Sequence, residues 1–351
     1  MSYERAYVKG PGGKRSFPLD EKLGVVCACT PPMAALLSRA GATCHSYEAA
    51  GDLVSESSCV GVSGRRIHRV VDAVADAEAK WAAERPKDGE RPAVLNIQAD
   101  MTGIKLRKED LAGVKGQDGK PPKKRQIKVG AVFLQEKGED GEVVRKPFST
   151  THVVRFSDWP EFAAALHAEA VRRGYLEALE VVFTADGADW LWDMAAQRFP
   201  DAVQIVDFYH ATEHLAALCE AVFPKRGADY EELFETRRSM LRKWGVDSMI
   251  RFFEDYAEKH PGKKEAVEAG LGYFRTHRAR MQYRQFRKKG YFIGSGVIEG
   301  SCKCLVNQRC DLAGQRWHPK SAQKLLAIRA AVLDGLHDRY WAERSAIKVA
   351  A

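Results

Sequence analysis

The chain has 351 residues, enough for two domains and at least one large core, and its apolar content of 45% is ordinary for a globular protein. The apolar runs are short and interrupted, which argues against a membrane span, and the first residues lack the apolar core of a secretory signal. The formal net charge of +8 is modest for this length, but its uneven distribution favours a polyanion partner.

The eight cysteines include no CxxC pair, so their spacing disfavours a zinc ribbon. The two C-x-C pairs, at 27–29 and 302–304, lack a matching second pair. We therefore expect reduced thiols in a cytoplasmic protein.

The N-terminal region, residues 1–88, is predicted to be helical. Apolar residues recur at helical spacing between 31 and 84, and Ser63 is a candidate cap for a helix with an apolar stripe and an arginine-bearing face. Two short helices and a turn before such a helix fit either a helix-turn-helix that binds DNA or a plain helical bundle.

A charged linker with two prolines, residues 83–92, is the best domain boundary, and the pattern changes to strands after it. Apolar runs end at Asp100, at Asp186 and at Asp207, and helical segments lie between the later runs. This order predicts an α/β domain over 89–345, with a mixed sheet flanked by helices. The long helical stretch at about 212–290 interrupts that domain and is interpreted as an insertion.

Three acids share a setting that suits a metal site. Asp100 and Asp186 end apolar strands, and Glu299 follows a glycine-flanked turn at the start of a helix. Carboxylates with open positions suit Mg²⁺ or Mn²⁺, and two such ions can promote phosphodiester cleavage. For Asp186, which precedes a glycine, a solvated turn is the simpler alternative.

Two basic segments are candidate DNA contacts. One spans Lys105 to Lys128 and includes Lys123, Lys124 and Arg125; the other spans Leu271 to Gly290 and contains seven basic residues and no acid. In the second segment, we expect four side chains to lie on one helical face and to bind phosphates: Arg280, Arg284, Arg287 and Lys288. A solvated basic helix is the alternative.

The motif HATEH at 210–214 matches the inverted zinc-peptidase pattern. His210 and His214 would share a helix face, with Glu213 as a general base. A zinc metallopeptidase is therefore the second functional hypothesis. It explains neither basic segment.

Three longer motifs, ADMTG, TADGADWLWDMAAQRFPDAVQIVDFYHATEHL and IGSGVIEGSCKCLVNQRCDLAGQRWHP, resemble bacterial insertion-sequence transposases of the DDE, RNase H-like type, in the branch related to Mutator-like elements. The resemblance covers about 93–340. It implies an RNase H-like fold with a helical insertion, and metal-dependent cleavage and strand transfer of DNA with Mg²⁺ or Mn²⁺ as two ions.

The resemblance also implies residue roles. The acidic triad falls on Asp100, Asp186 and Glu299, with Asp207 as the alternative second acid and His210 in a supporting role. Lys303 shares the helix face of Glu299, and Arg309 belongs to the same motif, so both are expected to contact DNA. The implied partners are the terminal inverted repeats and target DNA, bound by a homo-oligomer near the nucleoid. A DNA-binding protein derived from a transposase is a further, non-enzymatic hypothesis.

Overall fold

The computed structural model describes residues 7–9, 15–87, 89, 91–113 and 122–349. Lys115 and Lys120 of the first basic segment lie outside these ranges, as do residues 88 and 90 of the predicted linker. No helix within the described ranges is both long and apolar enough to cross a membrane.

The described residues before the sheet form mostly helices. A short hairpin and four helices follow one another: β1 (Val8–Lys9), β2 (Arg15–Ser16), α1 (Pro18–Leu23), α2 (Pro31–Thr43), α3 (Tyr47–Ser58) and α4 (Gly64–Glu84). Ser63 caps α4 by accepting a hydrogen bond from the Arg66 N–H at 3.3 Å. The apolar stripe of α4 is buried, whereas Arg65 and Arg69 on its other face are exposed, as expected of an amphipathic helix that packs against a core.

Six of the described strands form one mixed sheet. The four long strands are β3 (Val94–Ile104), β4 (Arg125–Lys137), β6 (Thr151–Arg155) and β7 (Glu180–Ala185), and the two short ones are β5 (Val143–Arg145) and β8 (Val203–Val206). Strand β4 pairs antiparallel with β3 on one side and with β5 and β6 on the other. Strands β7 and β8 continue the sheet parallel to β3, so three parallel strands end at one edge.

The two faces of β3 differ in chemistry because side chains alternate along a strand. Leu95, Ile97 and Ala99 belong to the core on one face, whereas Asn96 and Gln98 are buried polar residues on the other. Asp100 continues this polar register. The second face of β3 therefore presents hydrogen-bonding groups to whatever covers it.

Helices cover both faces of the sheet. In chain order, α5 (Trp159–Arg172) lies between β6 and β7, and α6 (Asp189–Arg198) lies between β7 and β8. After β8 come five helices: α7 (Phe208–Val222), α8 (Ala228–Lys243), α9 (Val246–Lys259), α10 (Lys264–Thr276) and α11 (Tyr283–Lys288). The C-terminal part contains α12 (Gly296–Ser301), a π-helical turn (Cys302–Asn307), α13 (Gln308–Cys310), α14 (Pro319–Leu333) and α15 (Leu336–Val349).

The second basic segment is not one helix, and the expectation that its four cations share one helical face is wrong. Helix α10 ends at Thr276, a 3₁₀ turn spans Arg278–Met281, and α11 begins at Tyr283. The Tyr283 side chain is fully buried and donates a hydrogen bond to the Val206 carbonyl at 3.1 Å. Anchoring of this aromatic ring beneath the end of β8 redirects the chain, so Arg280 and Arg284 lie on different elements.

The N-terminal helices share a core with the C-terminal part of the chain. One cluster of buried residues joins α2, α3 and α4 to α14 and to the sheet. In the predicted linker, Arg85 forms a buried ion pair with Glu169 of α5 at 2.6 Å. The linker is thus tied to the sheet domain.

Candidate active site

Asp100 lies on the polar face of β3, four residues before the strand ends. Its Oδ1 accepts a hydrogen bond from the Met101 N–H at 2.6 Å, and the Cys302 thiol lies 3.7 Å from its Oδ2. Burial raises the pKa of the Asp100 carboxyl above its ordinary value, and the nearby charges of Asp186 and Glu299 raise it further. A nearby cation would therefore stabilise the charged form of the Asp100 carboxyl group.

Asp186 follows the last residue of β7 and is half-buried. One oxygen accepts a hydrogen bond from the Ala188 N–H at 2.9 Å, which is the turn geometry expected of an aspartate before a glycine. Within the described residues, its other oxygen has no hydrogen-bond partner. Asp186 is therefore both a turn residue and a carboxylate with a free oxygen at the sheet edge.

Gly187 is required because Tyr273 of α10 lies directly over it. A Cβ atom at position 187 would be 2.6 Å from the ring carbon Cε2 and 2.8 Å from the hydroxyl of Tyr273. The glycine of the Asp-Gly pair thus allows a helix from a distant part of the chain to approach the site.

Asp207 caps α7 and is the most buried of the four acids, with 3% exposure. Its oxygens accept hydrogen bonds from the N–H groups of Tyr209 and His210 and from both the N–H and the hydroxyl of Ser295. Burial raises the pKa of the Asp207 carboxyl and the charge of Glu299 raises it further, although the hydrogen bonds from Ser295 and Tyr209 oppose the shift. The donors engage both of its oxygens.

Ser295 connects Asp207 to Glu299. Its hydroxyl oxygen lies 2.7 Å from Asp207 Oδ2 and 2.5 Å from Glu299 Oε1. A hydroxyl group carries one proton, so it donates to only one of two carboxylates. The second carboxylate oxygen therefore lies close to the hydroxyl oxygen without receiving its proton, which shows that the acids are crowded.

Gln98 fixes the start of α12. Its amide donates to the Gly294 carbonyl and accepts from the Ile298 N–H, both at 3.0 Å. Glu299 follows immediately, so the polar face of β3 positions this acid relative to Asp100. Sequence reasoning did not single out Gln98, although a glutamine within an apolar strand is an available signal.

The helix that carries Glu299 changes from α to π geometry at Cys302. Arg329 of α14 donates to the Cys304 carbonyl, from Nε at 3.0 Å and from Nη2 at 2.5 Å. The wider π turn disturbs the regular hydrogen bonding of the helix, and the Arg329 guanidinium supplies hydrogen-bond donors to a carbonyl within that turn. Sequence reasoning missed this π turn, because six residues are too few to show a recognisable hydrophobic periodicity.

The four acids line one pocket of about 250 Å³ at the edge where β7 and β8 end beside the middle of β3. The lining residues are Ala99, Asp100, Asp186, Asp207, Tyr209, His210, Glu213, Ser295, Ile298 and Glu299. In the described part of the chain, no three His, Cys, Asp or Glu side chains are already arranged as a set of metal ligands. The four acids therefore line the same pocket, but their carboxylates are not close enough together to form a ready-made metal site.

The histidines of the HATEH motif lie on α7 with their rings 5.1 Å apart. The His214 ring stacks on Tyr273 at 3.6 Å, and Glu213 is 78% exposed with an oxygen 3.4 Å from His210 Nδ1. His214 thus has an aromatic packing role, whereas His210 faces the acidic pocket.

The candidate DNA contacts differ in exposure. Seven of them are exposed: Lys123, Lys124, Arg125, Arg284, Arg287, Lys288 and Lys303. Of these, Lys124 pairs with Asp311 at 2.6 Å. Arg280 is half-buried, donates to Gln204 at 2.8 Å and lies over the Trp192 ring.

Arg309 is 1% exposed, and its expected contact with DNA is wrong for this conformation. Its guanidinium donates to the carbonyls of Gly41 and His45, each at 3.2 Å, and lies near the Tyr47 and Trp317 rings. It binds the N-terminal helices to α13.

No family model matches this sequence, and neither does any curated protein. Among solved structures, the chain is similar to the Drosophila P element transposase strand transfer complex, at 11% sequence identity and a TM-score of 0.33. The similarity covers 95% of this chain and 83% of that one. A similarity this low does not assign the chain to a family.

Proposed function

We propose that the protein is a metal-dependent DNA strand transferase of the DDE transposase type. The observation that carries the proposal is the single pocket lined by Asp100, Asp186, Asp207 and Glu299, which come from distant parts of the sequence. The motifs that resemble insertion-sequence transposases are the segments that supply these acids.

The sheet supports an RNase H-like interpretation of the domain. Three antiparallel strands, β6, β4 and β3, are followed by two strands parallel to β3, and the acids stand at the edge where the parallel strands end. Ligand sites of α/β sheets form at this edge.

The chemistry of the pocket fits a hard divalent cation. Carboxylate oxygens are the ligands that Mg²⁺ and Mn²⁺ prefer, and the carboxylates of Asp207 and Glu299 both lie within 2.7 Å of the Ser295 hydroxyl oxygen. Bound ions would activate a water and stabilise the leaving oxygen of a phosphodiester. Asp100, Asp186 and Glu299 would hold them.

We favour Asp186 over Asp207 as the second acid. Asp186 has a free oxygen, whereas four donors occupy the oxygens of Asp207. Asp207 would then act indirectly, by capping α7 and by holding Ser295 against Glu299. His210 would support the same end of α7.

A cleavage assay tests the proposal, with DNA that carries the sequences flanking the gene. Asp186→Asn and Glu299→Gln keep side-chain size but remove a charged ligand, so strand cleavage in Mg²⁺ should fall by about a thousandfold. Mn²⁺ binding, followed by electron paramagnetic resonance, should weaken in the same variants. Asp189→Asn, on the exposed start of α6, is the matched control and should keep most activity.

Two outcomes would change the assignment. Normal cleavage by Asp186→Asn together with inactive Asp207→Asn would move the second ligand to Asp207. Absence of metal-dependent cleavage in the unaltered protein, with DNA binding intact, would favour the DNA-binding protein derived from a transposase.

DNA binding should depend strongly on salt because cations that neutralise phosphates release counterions. Simultaneous replacement of Arg284, Arg287 and Lys288 by alanine should reduce the slope of log affinity against log salt by about 0.9 per lost phosphate contact. Arg280→Ala should leave the slope unchanged, since Arg280 is held by Gln204. An unchanged slope in the triple variant would exclude α11 from the interface.

A further inference from the structure

Trp244 is an exposed aromatic residue at the junction of α8 and α9. It is 66% exposed, whereas the other six tryptophans, all in the described part of the chain, are buried or half-buried. Gly245 follows in the left-handed region at φ +95°, which ends α8 and turns the chain. The fold thus presents one large indole ring to solvent.

Basic residues lie on the two helices next to this ring. Arg242 and Lys243 precede it at the exposed end of α8, and α11 packs against α8 with Arg284, Arg287 and Lys288 exposed. The Arg284 guanidinium lies 5.7 Å from the centre of the Trp244 ring. We call these six residues the Trp244 patch.

The charge of the Trp244 patch is not neutralised internally. Across the described residues, none of its five cations forms an ion pair with a carboxylate. Asp247, the acid nearest in sequence, pairs with Arg278 at 2.5 Å. A polyanion is therefore the partner that this surface fits electrostatically.

We propose that the Trp244 patch binds an unpaired nucleotide of single-stranded DNA, with the base stacked on the indole and the adjoining phosphates held by the cations. Aromatic side chains stack on bases of single strands regardless of sequence, and basic grooves follow the backbone. In a duplex, neighbouring bases already cover these faces, so stacking requires an unpaired base.

This inference rests on the proposed function, which it deepens by naming the form of DNA that the helices after β8 bind. The patch needs neither the four acids nor a metal ion. Binding to it is therefore measurable when the pocket is inactive.

The test measures affinity for a fluorescein-labelled oligothymidylate in buffer with EDTA, by anisotropy and by quenching of tryptophan fluorescence. Trp244→Ala should lower the affinity for the single strand by at least about tenfold, which corresponds to about 1.4 kcal/mol. It should also abolish most of the quenching. A blunt duplex of equal length should lose little affinity, because it offers no unpaired base.

Two control variants separate stacking from general exposure. Trp244→Phe should retain most of the single-strand affinity, since an aromatic face remains. Phe148→Ala removes another fully exposed aromatic residue, outside the patch, and should have no effect.

Three results would overturn the inference: unchanged single-strand affinity in Trp244→Ala, equal losses for single strand and duplex, or tighter Trp244-dependent binding of a polyglutamate peptide than of the oligonucleotide. Retained quenching in a protein without cleavage activity would contradict only the catalytic proposal. Active cleavage without Trp244-dependent binding would contradict only this one.

Discussion

Single residues in the acidic pocket are placed unfavourably for stability when no cation is present. The pKa of Asp100 is raised above 3.8, chiefly by burial and further by Asp186 and Glu299. The pKa of Asp207 is raised by burial as well. Such positions favour function over stability, because the charged form is desolvated and repelled.

Replacement of Asp100 by asparagine should therefore stabilise the protein in metal-free buffer. A carboxyl with a raised folded pKa destabilises the fold when it is charged, so the gain is complete above that pKa and disappears as the pH falls through it toward 3.8. At pH 7 we expect a melting temperature higher by about 2 °C. The amide oxygen can still accept from Met101.

Melting curves between acidic and neutral pH would check this result. Equal melting temperatures for Asp100→Asn and the unaltered protein at pH 7, without metal, would mean that Asp100 is not a strained charge. Excess Mg²⁺ should reverse the order, since only the aspartate gains a cation.

At the scale of elements, one helix after β8 is in contact with the turn that carries Asp186. Tyr273 of α10 covers Gly187, stacks on His214 of α7 and lies 4.8 Å from the His277 ring. The phenol oxygen is buried without a hydrogen-bond partner. This packing couples α10 to the position of Asp186.

Gly187→Ala should disturb this contact, because the added methyl group would overlap the Tyr273 ring. Overpacking of this kind costs about 1–3 kcal/mol of unfolding free energy, and cleavage should decrease as well. In a Tyr273→Leu background the same substitution should cost much less, and a denaturant-based double-mutant cycle would measure the coupling. Additive effects of the two substitutions would exclude the contact.

At the scale of the whole molecule, two buried arginines join the first helices to the last ones. Arg309 donates to Gly41 and His45, and Arg329 donates to Ala42 as well as to the π turn. The end of α2 and the loop after it are therefore linked to the helix that carries Glu299. A displacement of the N-terminal helices would therefore shift the helix that carries Glu299 through these contacts.

Arg309→Ala should lower the unfolding free energy by about 2–4 kcal/mol, because it leaves a cavity and unpaired carbonyls. The salt dependence of DNA binding should not change, because this side chain is buried. Lys303→Ala, one turn after Glu299 on the exposed face, should show the opposite pattern. Urea unfolding and salt titrations of both variants would check the difference. A reduced salt slope in Arg309→Ala would mean that Arg309 contacts DNA after all.

Local patterns in the sequence determined much of this protein. Apolar runs that end at Asp186 and Asp207 predicted the ends of β7 and β8, whereas the expectation that Asp100 ends its strand is wrong, because β3 continues to Ile104 in its pairing with β4. The Ser63 cap and the apolar stripe of α4 were equally readable. The mixed sheet flanked by helices followed from the order of these elements.

Only the tertiary structure decided which charged residues face solvent and which acids meet. Arg309 and Lys303 lie in one motif, yet contacts with α2 bury the first and leave the second exposed. The break before Tyr283 depends on its anchor at Val206, and the need for Gly187 depends on Tyr273. Periodicity reports the two faces of an element, whereas the groups that pack against each face come from distant parts of the chain.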